Sequence, residues 1–185
     1  CVAHKVQKVI VPKYGLLSTP ATSHLIRKEK AIGGIILSAS HNPGGIDGDF
    51  GVKLNISNGG PAPEIITNKI FKASQLLTSY KICKIQLPDF SEYGTYPYDE
   101  TTLEIIDGLT DYSNLMEKIF DFDQISDFLK KDFSLIFDAM NAVTGPYAKN
   151  IFVEKMGLAH DCVMNGNPLE DFGGCLLYTS DAADE

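Results

Sequence analysis

A polar loop rich in glycine and proline restricts the fold of this chain more than any other feature. It reads S-A-S-H-N-P-G-G-I-D-G-D-F-G over residues 38–51, and five of its residues are glycine or proline. Apolar segments flank the loop, Ile35–Leu37 before it and Val52–Ile56 after it, and both predict short strands. Because α/β sheets bind ligands at the carboxyl ends of their strands, this loop is the first candidate for a functional site.

The residues before the loop predict a strand, a helix and a second strand. Lys5–Val11 is rich in valine, and Ser18 followed by Pro20 marks the start of a helix that runs to about Lys30. The second strand, Ile35–Leu37, is expected to be buried. This succession predicts a parallel pair with a right-handed crossover. The expected fold class is therefore α/β, with a mixed, mostly parallel sheet and flanking helices.

A further helix is predicted from Glu64 to about Tyr80. Its apolar residues recur at steps of four and three, which places them on one face and predicts that this face packs in the core. They are Ile66, Ile70, Ala73, Leu77 and Tyr80. The following residues 88–101 contain proline, glycine and several acids, and they predict a loop or a domain edge.

A second α/β unit is expected after residue 100. Phe133–Phe137 predicts a buried strand, and Tyr147–Met156 predicts a helix that Gly157 ends as its C-cap. We therefore divide the chain into residues 1–100, which carry the serine loop, and residues 101–174. The tail 175–185 reads C-L-L-Y-T-S-D-A-A-D-E, differs in character from the rest, and is predicted to be non-native.

Charge and cysteine usage argue against several classes of protein. The 185 residues include 16 Lys and Arg against 24 Asp and Glu, a net charge of −8, so a nucleic-acid or anionic-membrane partner is not expected. No run approaches ~18 apolar residues, so no membrane span is expected either. The four cysteines are irregularly spaced, which argues against a zinc site or a disulfide framework. We expect reduced thiols and a cytoplasmic protein; the sequence indicates no oligomeric state.

Physical chemistry alone leaves the role of the loop open. Ser40 can serve as a nucleophile or phosphoryl carrier, and His41 and Asn42 can hydrogen-bond an oxyanion. A surface turn explains the same composition, because Ser, Asn, Pro and Gly are ordinary turn residues. Asp47 and Asp49 are too few to indicate a metal loop, and we expect Asp49 to order the loop. The sequence contains neither a G-x-S-x-G elbow nor a G-K-[ST] phosphate loop.

Longer motifs favour a catalytic role for this loop over a simple surface turn. Two stretches resemble the catalytic loop of the phosphoglucomutase family, in the α-D-phosphohexomutase superfamily, and the segment that leads to it. The loop reads S-A-S-H-N-P-G-G-x-x-G-D-F-G-V-K-x-N-I-S-N-G-G-P-A-P-E, and the segment before it reads G-L-L-S-T-P-A-T-S-H-L-I-R-K. Downstream, F-D-A-M-N-A-V-T-G-P-Y and N-P-L-E-D-F-G-G resemble the start of that family's second domain. The resemblance extends from about Lys8 to Gly174.

The resemblance implies an isomerase that interconverts glucose 1-phosphate and glucose 6-phosphate. Ser40 matches the family's phosphoserine, which exchanges its phosphoryl group with the sugar through glucose 1,6-bisphosphate and supplies one ligand to Mg²⁺. His41 and Lys53 match positions near the transferring group, with acid–base or electrostatic roles; a solvated surface role for Lys53 stays open. Asn42 and Arg27 are further candidates for contact with phosphate, although simple exposure also explains Arg27.

Departures from the family pattern modify these expectations. Ser38 stands where threonine is usual, and Asn141-Ala142 stands where His-Gly is usual. The family's metal loop D-G-D-G-D-R does not occur in the 185 residues. We therefore expect a fragment of a mutase, truncated at both ends and inactive by itself. The alternatives are a mutase for mannose or N-acetylglucosamine phosphates, and a non-catalytic scaffold in membrane trafficking or the cytoskeleton.

Overall fold

Helices and short strands are interspersed along the chain in the computed structural model, which describes residues 1–40, 42, 46–131 and 133–174. In chain order they are β1 (Lys8–Pro12), α1 (Thr19–Lys28), β2 (Gly33–Leu37), β3 (Val52–Ile56), α2 (Glu64–Gln75), β4 (Gly94–Tyr98), β5 (Thr101–Ile106), α3 (Gly108–Ile119), α4 (Phe122–Lys131), β6 (Phe137–Asp138), α5 (Thr144–Ala148), which continues as a π-helix over Lys149–Lys155, and β7 (Val163–Met164). The predicted α/β class with mixed strand pairing is confirmed.

The chain divides into two compact units. The first comprises Cys1–Leu17, Thr22–Gly34 and Leu54–Gly108, and the second comprises Ser18–Ala21, Ile35–Lys53 and the chain from Leu109 onward. The domain division that the sequence suggests after residue 100 stays a prediction.

A three-stranded sheet in the order β1-β5-β4 organises the first unit. Strand β5 runs parallel to β1, with Lys8 opposite Thr102, and antiparallel to β4, with Tyr98 opposite Thr101. Alternate residues of β5, namely Thr101, Leu103 and Ile105, are buried, as expected for a strand with one face in the core. Strand β4 lies in the segment that the sequence predicted to be a loop.

The predicted pairing of β1 with β2 is wrong. Strand β1 pairs with β5, and β2 pairs with β3 across the loop at residues 38–51. Long-range strand partners depend on burial patterns far along the chain, and β5 begins 93 residues after β1 begins. The expected burial of β2 is also wrong, since Ile35 and Leu37 are 66% and 63% exposed.

Helix α1 begins as the sequence predicted. The Ser18 hydroxyl accepts a hydrogen bond from the backbone N–H of Ala21 at 3.3 Å, which caps the first turn. On the same helix, Leu25 and Ile26 are buried. Ile26 lies so close to Gly34 that a Cβ at that glycine would stand 2.8 Å from its Cδ1 atom. The helix and the start of β2 are therefore tightly packed.

Helix α2 is shorter than predicted, and its apolar face is not in the core. It ends at Gln75 and has no buried residue. Ile70, Leu77 and Tyr80, from the predicted stripe, are 49%, 70% and 84% exposed. A helical repeat of apolar residues indicates a face that can be buried, but burial also needs a partner surface. The described residues do not cover this face.

The second unit places two short parallel strands beside helices. Phe137 of β6 lies opposite Val163 of β7, so the predicted strand 133–137 is reduced to a short pair. The Ser126 hydroxyl on α4 donates to the Met156 carbonyl at 2.7 Å. Gly157 has a φ of +66° and its N–H bonds to the Val153 carbonyl, which confirms the predicted C-cap.

Within the described part of the chain, none of the helices is long and apolar enough to cross a membrane.

Candidate functional site

The serine loop is closed at its base by a close approach of two backbone segments. The N–H of Ser38, just after β2, donates to the carbonyl of Gly51, just before β3, at 3.0 Å. A Cβ on Gly51 would stand 2.3 Å from the Ser38 carbonyl oxygen, which is too close for any side chain. The glycine is therefore required for the two ends of the loop to meet.

Ser40 occupies a left-handed backbone conformation in this loop, with φ of +61°. Its N–H donates to the Ser38 hydroxyl at 2.9 Å, and the N–H of Asn42 donates to the Ala39 carbonyl at 3.1 Å. The second of these bonds closes a tight turn with Ser40 at its second position. The Ser40 residue is exposed at this turn.

A side-chain pair spans the middle of the loop. The Asn42 amide Nδ2 donates to Asp49 Oδ2 at 2.5 Å, and both residues are exposed. This contact confirms the expectation that Asp49 orders the loop. The Asn42 amide has two hydrogens, so a contact with phosphate can use the second one while the bond to Asp49 is kept.

The remaining predicted site residues are placed as follows. His41 lies outside the described residues. Lys53 is exposed at the second position of β3. Arg27 belongs to the first unit, on the last turn of α1, and its Nη1 donates to the Ser23 hydroxyl at 2.8 Å. The structure therefore brings Ser40, Asn42 and Asp49 together in one loop, with Lys53 on the strand that follows it.

Sequence reasoning missed two residues that shape the loop. Ser38 was noted only as a departure from the family pattern, and Gly51 only as one of several glycines. The signal for Gly51 was its position directly before a strand, where the returning chain must pass close to the outgoing one. The signal for Ser38 was its place two residues before Ser40, because a serine hydroxyl commonly accepts a hydrogen bond from the backbone N–H two residues further on.

The described residues do not form a complete metal site. They contain no group of three or more His, Cys, Asp or Glu side chains that could hold an ion. Asp47 and Asp49 supply hard oxygen atoms of the kind that Mg²⁺ prefers, but two carboxylates fall short of its octahedral coordination. We therefore derive no step of the chemistry through a metal from these residues.

A second polar cluster lies where β6 and β7 end. The carboxylate of Asp138 accepts hydrogen bonds from the backbone N–H of Met140 and from Asn165 Nδ2, both at 2.9 Å. These two donors hold the pKa of Asp138 below its ordinary value of 3.8. Asn141, which stands where histidine is usual, donates from Nδ2 to the Asn167 carbonyl at 2.9 Å with its φ at +53°. Asparagine tolerates this conformation better than most residues, and the side chain of Asn141 links two backbone segments through its bond to Asn167.

Comparisons with known proteins agree with this fold and loop. A family model described as phosphoglucomutase/phosphomannomutase, alpha/beta/alpha domain I, matches residues 2–81. The phosphoglucomutase of Emericella nidulans is 52% identical over 174 residues, which are 93% of this chain and 31% of that protein. The chloroplastic phosphoglucomutase of Arabidopsis thaliana is 51% identical over 169 residues, which are 91% of this chain and 27% of that protein.

A solved structure is similar over most of the chain. It is the open form of the exocytosis-sensitive phosphoprotein pp63/parafusin, a phosphoglucomutase from Paramecium, with a TM-score of 0.86 and 40% identity. The match covers 95% of this chain and 35% of the Paramecium chain. Residues 2–81 of this chain therefore match the phosphoglucomutase/phosphomannomutase family, and the whole chain spans about a third of the length of the curated relatives it matches.

Proposed function

We propose that this chain carries the phosphoryl-transferring serine of a phosphoglucomutase, and that the full-length protein interconverts glucose 1-phosphate and glucose 6-phosphate. The observation that carries the proposal is Ser40, exposed at a tight turn with φ of +61°. Eight other described non-glycine residues also have a positive φ, so the exposure of Ser40 in the polar loop is the part of this observation that carries the proposal. Identity of about half to phosphoglucomutases over most of the chain supports the same role.

Ser40 acts as the carrier in two half-reactions. First, the 6-hydroxyl oxygen of glucose 1-phosphate bonds to the phosphorus on Ser40, the bond from phosphorus to Ser40 Oγ breaks, and the hydroxyl proton passes to Oγ. The glucose 1,6-bisphosphate then turns in the site. Ser40 Oγ bonds to the other phosphorus, and the C1 oxygen leaves with the proton, which gives glucose 6-phosphate. Positioning and charge stabilisation, rather than covalent chemistry by other residues, set the rate of such a transfer.

His41 and Lys53 are proposed to act beside the transferring group, either in proton transfer or in charge stabilisation. Two variants separate these roles for Lys53. If Lys53 supplies charge, Lys53→Arg keeps most of the rate while Lys53→Met loses about a hundredfold. If Lys53 moves a proton, both variants lose activity, because the guanidinium stays protonated. Equal activity in all three proteins would place Lys53 outside the site.

The charge of the loop favours a cation partner once Ser40 is phosphorylated. Residues 38–51 contain two carboxylates and no Lys or Arg. A phosphate adds about −1.5 to −2 charge, which needs compensation. We propose Mg²⁺ as the cation, with the Ser40 phosphate as one of its ligands. The ion would take its other ligands from outside the described residues.

An assay that couples glucose 6-phosphate formation to reduction of a nicotinamide cofactor tests the proposal. The full-length protein should convert glucose 1-phosphate with added glucose 1,6-bisphosphate and Mg²⁺, and Ser40→Ala should lose the activity. The 185-residue chain should show no turnover above its own Ser40→Ala control. Activity that survives Ser40→Ala in the full-length protein would overturn the proposal.

A second candidate function is a phosphoprotein role in secretion. The similarity to the Paramecium protein, whose structure is described as that of an exocytosis-sensitive phosphoprotein, favours it. The source of the phosphate on Ser40 distinguishes the two functions. A mutase should exchange the Ser40 phosphate with sugar phosphates, whereas a signalling site should gain phosphate only from a kinase and ATP.

The substrate and compartment follow from the same proposal. Sugar phosphates are the proposed small-molecule partners, with glucose preferred over mannose or N-acetylglucosamine because the similar curated proteins are phosphoglucomutases. No nucleic-acid partner is proposed, in keeping with the net charge of −8. We propose a cytoplasmic location, although one relative is chloroplastic. Rates with the three sugar phosphates, measured side by side, test the preference.

A further inference from the structure

Ser38 has three backbone or side-chain contacts that fix its position within the loop. Its N–H donates to the Gly51 carbonyl at 3.0 Å, and its own carbonyl oxygen faces Gly51 so closely that a Cβ there would stand at 2.3 Å. Its hydroxyl accepts the Ser40 N–H at 2.9 Å. Ser38 is therefore tied both to the start of β3 and to the backbone of Ser40.

Ser40 needs such a tie because its φ of +61° is unfavourable for a residue with a side chain. Loss of the bond to Ser38 would weaken the restraint on this conformation, and a shift of the backbone would move the Oγ atom with it. The hydrogen bond from the Ser40 N–H to the Ser38 hydroxyl opposes that relaxation. It is the bond that a serine hydroxyl commonly accepts from the backbone N–H two residues further on.

We propose that Ser38 is a positioning residue for phosphoryl transfer: its hydroxyl holds the backbone of Ser40 in the conformation from which Oγ gives and takes the phosphoryl group. This inference deepens the proposed function and rests on it. Ser38 contacts neither substrate nor phosphate in the proposal; it acts only through Ser40. The group required at residue 38 is a hydroxyl acceptor, which threonine also supplies and alanine lacks.

Hydrogen exchange in the 185-residue chain tests the structural half of the proposal. The amide of Ser40 should exchange faster in Ser38→Ala than in the unsubstituted chain, and Ser38→Thr should restore its protection. Ser57→Ala, a substitution of an exposed serine in the loop after β3, is the matched control and should leave the Ser40 amide unchanged. Equal exchange in Ser38→Ala and the unsubstituted chain would overturn the proposal.

Single-turnover kinetics in the full-length protein test the functional half. The probe is glucose 1,6-bisphosphate labelled in its phosphoryl groups, and the readout is label on Ser40. A small displacement of a reacting group can cost about a hundredfold in rate, so Ser38→Ala should slow labelling by about tenfold to a hundredfold at saturating bisphosphate. KM should stay near the unsubstituted value, and Ser38→Thr should recover the rate.

The outcomes separate this inference from the proposed function. If Ser40 is labelled in the unsubstituted protein and Ser38→Ala labels equally fast, the positioning role is wrong and the mutase role stands. If Ser38→Thr is as slow as Ser38→Ala, the hydroxyl is not the determinant and the inference fails. If the label appears on Ser38, or no serine is labelled in the unsubstituted protein, both proposals fail.

Discussion

Gly51 is the residue whose replacement the structure tolerates least within the serine loop. A Cβ at this position would stand 2.3 Å from the backbone oxygen of Ser38, and a backbone atom cannot move aside as a flexible side chain can. Gly51→Ala should therefore destabilise the protein by about 1–3 kcal/mol, measured as the free energy of unfolding in urea.

Gly60→Ala is the matched control for this substitution. Its Cβ would meet only the Asn58 side chain at 3.2 Å, which can shift. The change should stay within about 0.5 kcal/mol. Equal costs at the two glycines would mean that the base of the loop is not closed in solution.

Thr101 is a buried residue with an unsatisfied hydroxyl. The residue is 1% exposed, and its Oγ1 has no hydrogen-bond partner among the described residues. Valine has the same shape without the hydroxyl, so Thr101→Val should stabilise the protein by about 1 kcal/mol. Thr102→Val, on the half-buried opposite face, should change stability by less than about 0.5 kcal/mol. A clear loss of stability in Thr101→Val would show that the hydroxyl is satisfied in solution.

Asp138 gives the fold a dependence on pH. The Met140 N–H and the Asn165 amide stabilise its charged form, so the pKa in the folded protein lies below the ordinary 3.8. The group therefore contributes stability above pH 3.8 that is lost as the pH falls through its lower folded pKa. Asn165→Ala should raise the pKa of Asp138, followed by NMR titration of the carboxyl carbon.

Asp89 serves as the internal control for that titration. Its pKa is lowered by hydrogen bonds from the backbone and side chain of Ser91 and by the charge of Lys13. The Asp89 titration should stay unchanged in Asn165→Ala. An unmoved Asp138 in the same experiment would mean that the Asn165 amide does not contact it.

At the scale of elements, helix α2 shows what a sequence pattern leaves open. Its apolar periodicity predicted both a helix and a buried face, and only the helix is present among the described residues.

Phe71 is 64% exposed, so Phe71→Gln should change the free energy of unfolding by less than about 0.5 kcal/mol. Ile26→Ala, at a residue only 3% exposed, should cost about 2–5 kcal/mol. A comparable cost at Phe71 would show that the helix face is covered in solution.

Local signals predicted the start of α1, strand β3 at Val52–Ile56 and the Gly157 cap, because each depends on a few neighbouring residues. Strand partners were not predictable in the same way. The pairing of β1 with β5 depends on burial along a strand that is remote in sequence. Strand β4 was missed since Gly94 and Pro97 within it are typical of loops.

The residues of the candidate site were predicted from their types and motif, and their functional roles stay a prediction, whereas the geometry of the loop was not predicted. Ser40 and Asn42 were identified from the motif, and the structure places them in one turn with Asp49 nearby. The positive φ of Ser40 and the hydroxyl of Ser38 that holds it came only from the structure. Side-chain types state which chemistry is available, whereas backbone strain depends on how the loop closes.

At the scale of the whole molecule, the proposed mutase activity depends on more than the serine loop. The chain spans about a third of the length of its curated relatives, and its described residues contain no complete metal site. Phosphoryl transfer needs both positioning and charge stabilisation. The proposal assigns positioning to the loop and the rest of the charge stabilisation to groups beyond the described residues.

Mapping of the phosphate by mass spectrometry tests the central claim most directly. The full-length protein, incubated with glucose 1,6-bisphosphate and Mg²⁺ and then digested, should carry one phosphate on the peptide that contains Ser40. Fragmentation should assign it to Ser40 and not to Ser38, and later addition of glucose 1-phosphate should remove it. Phosphate that is absent, lies on another residue or fails to leave with the sugar phosphate would contradict the account.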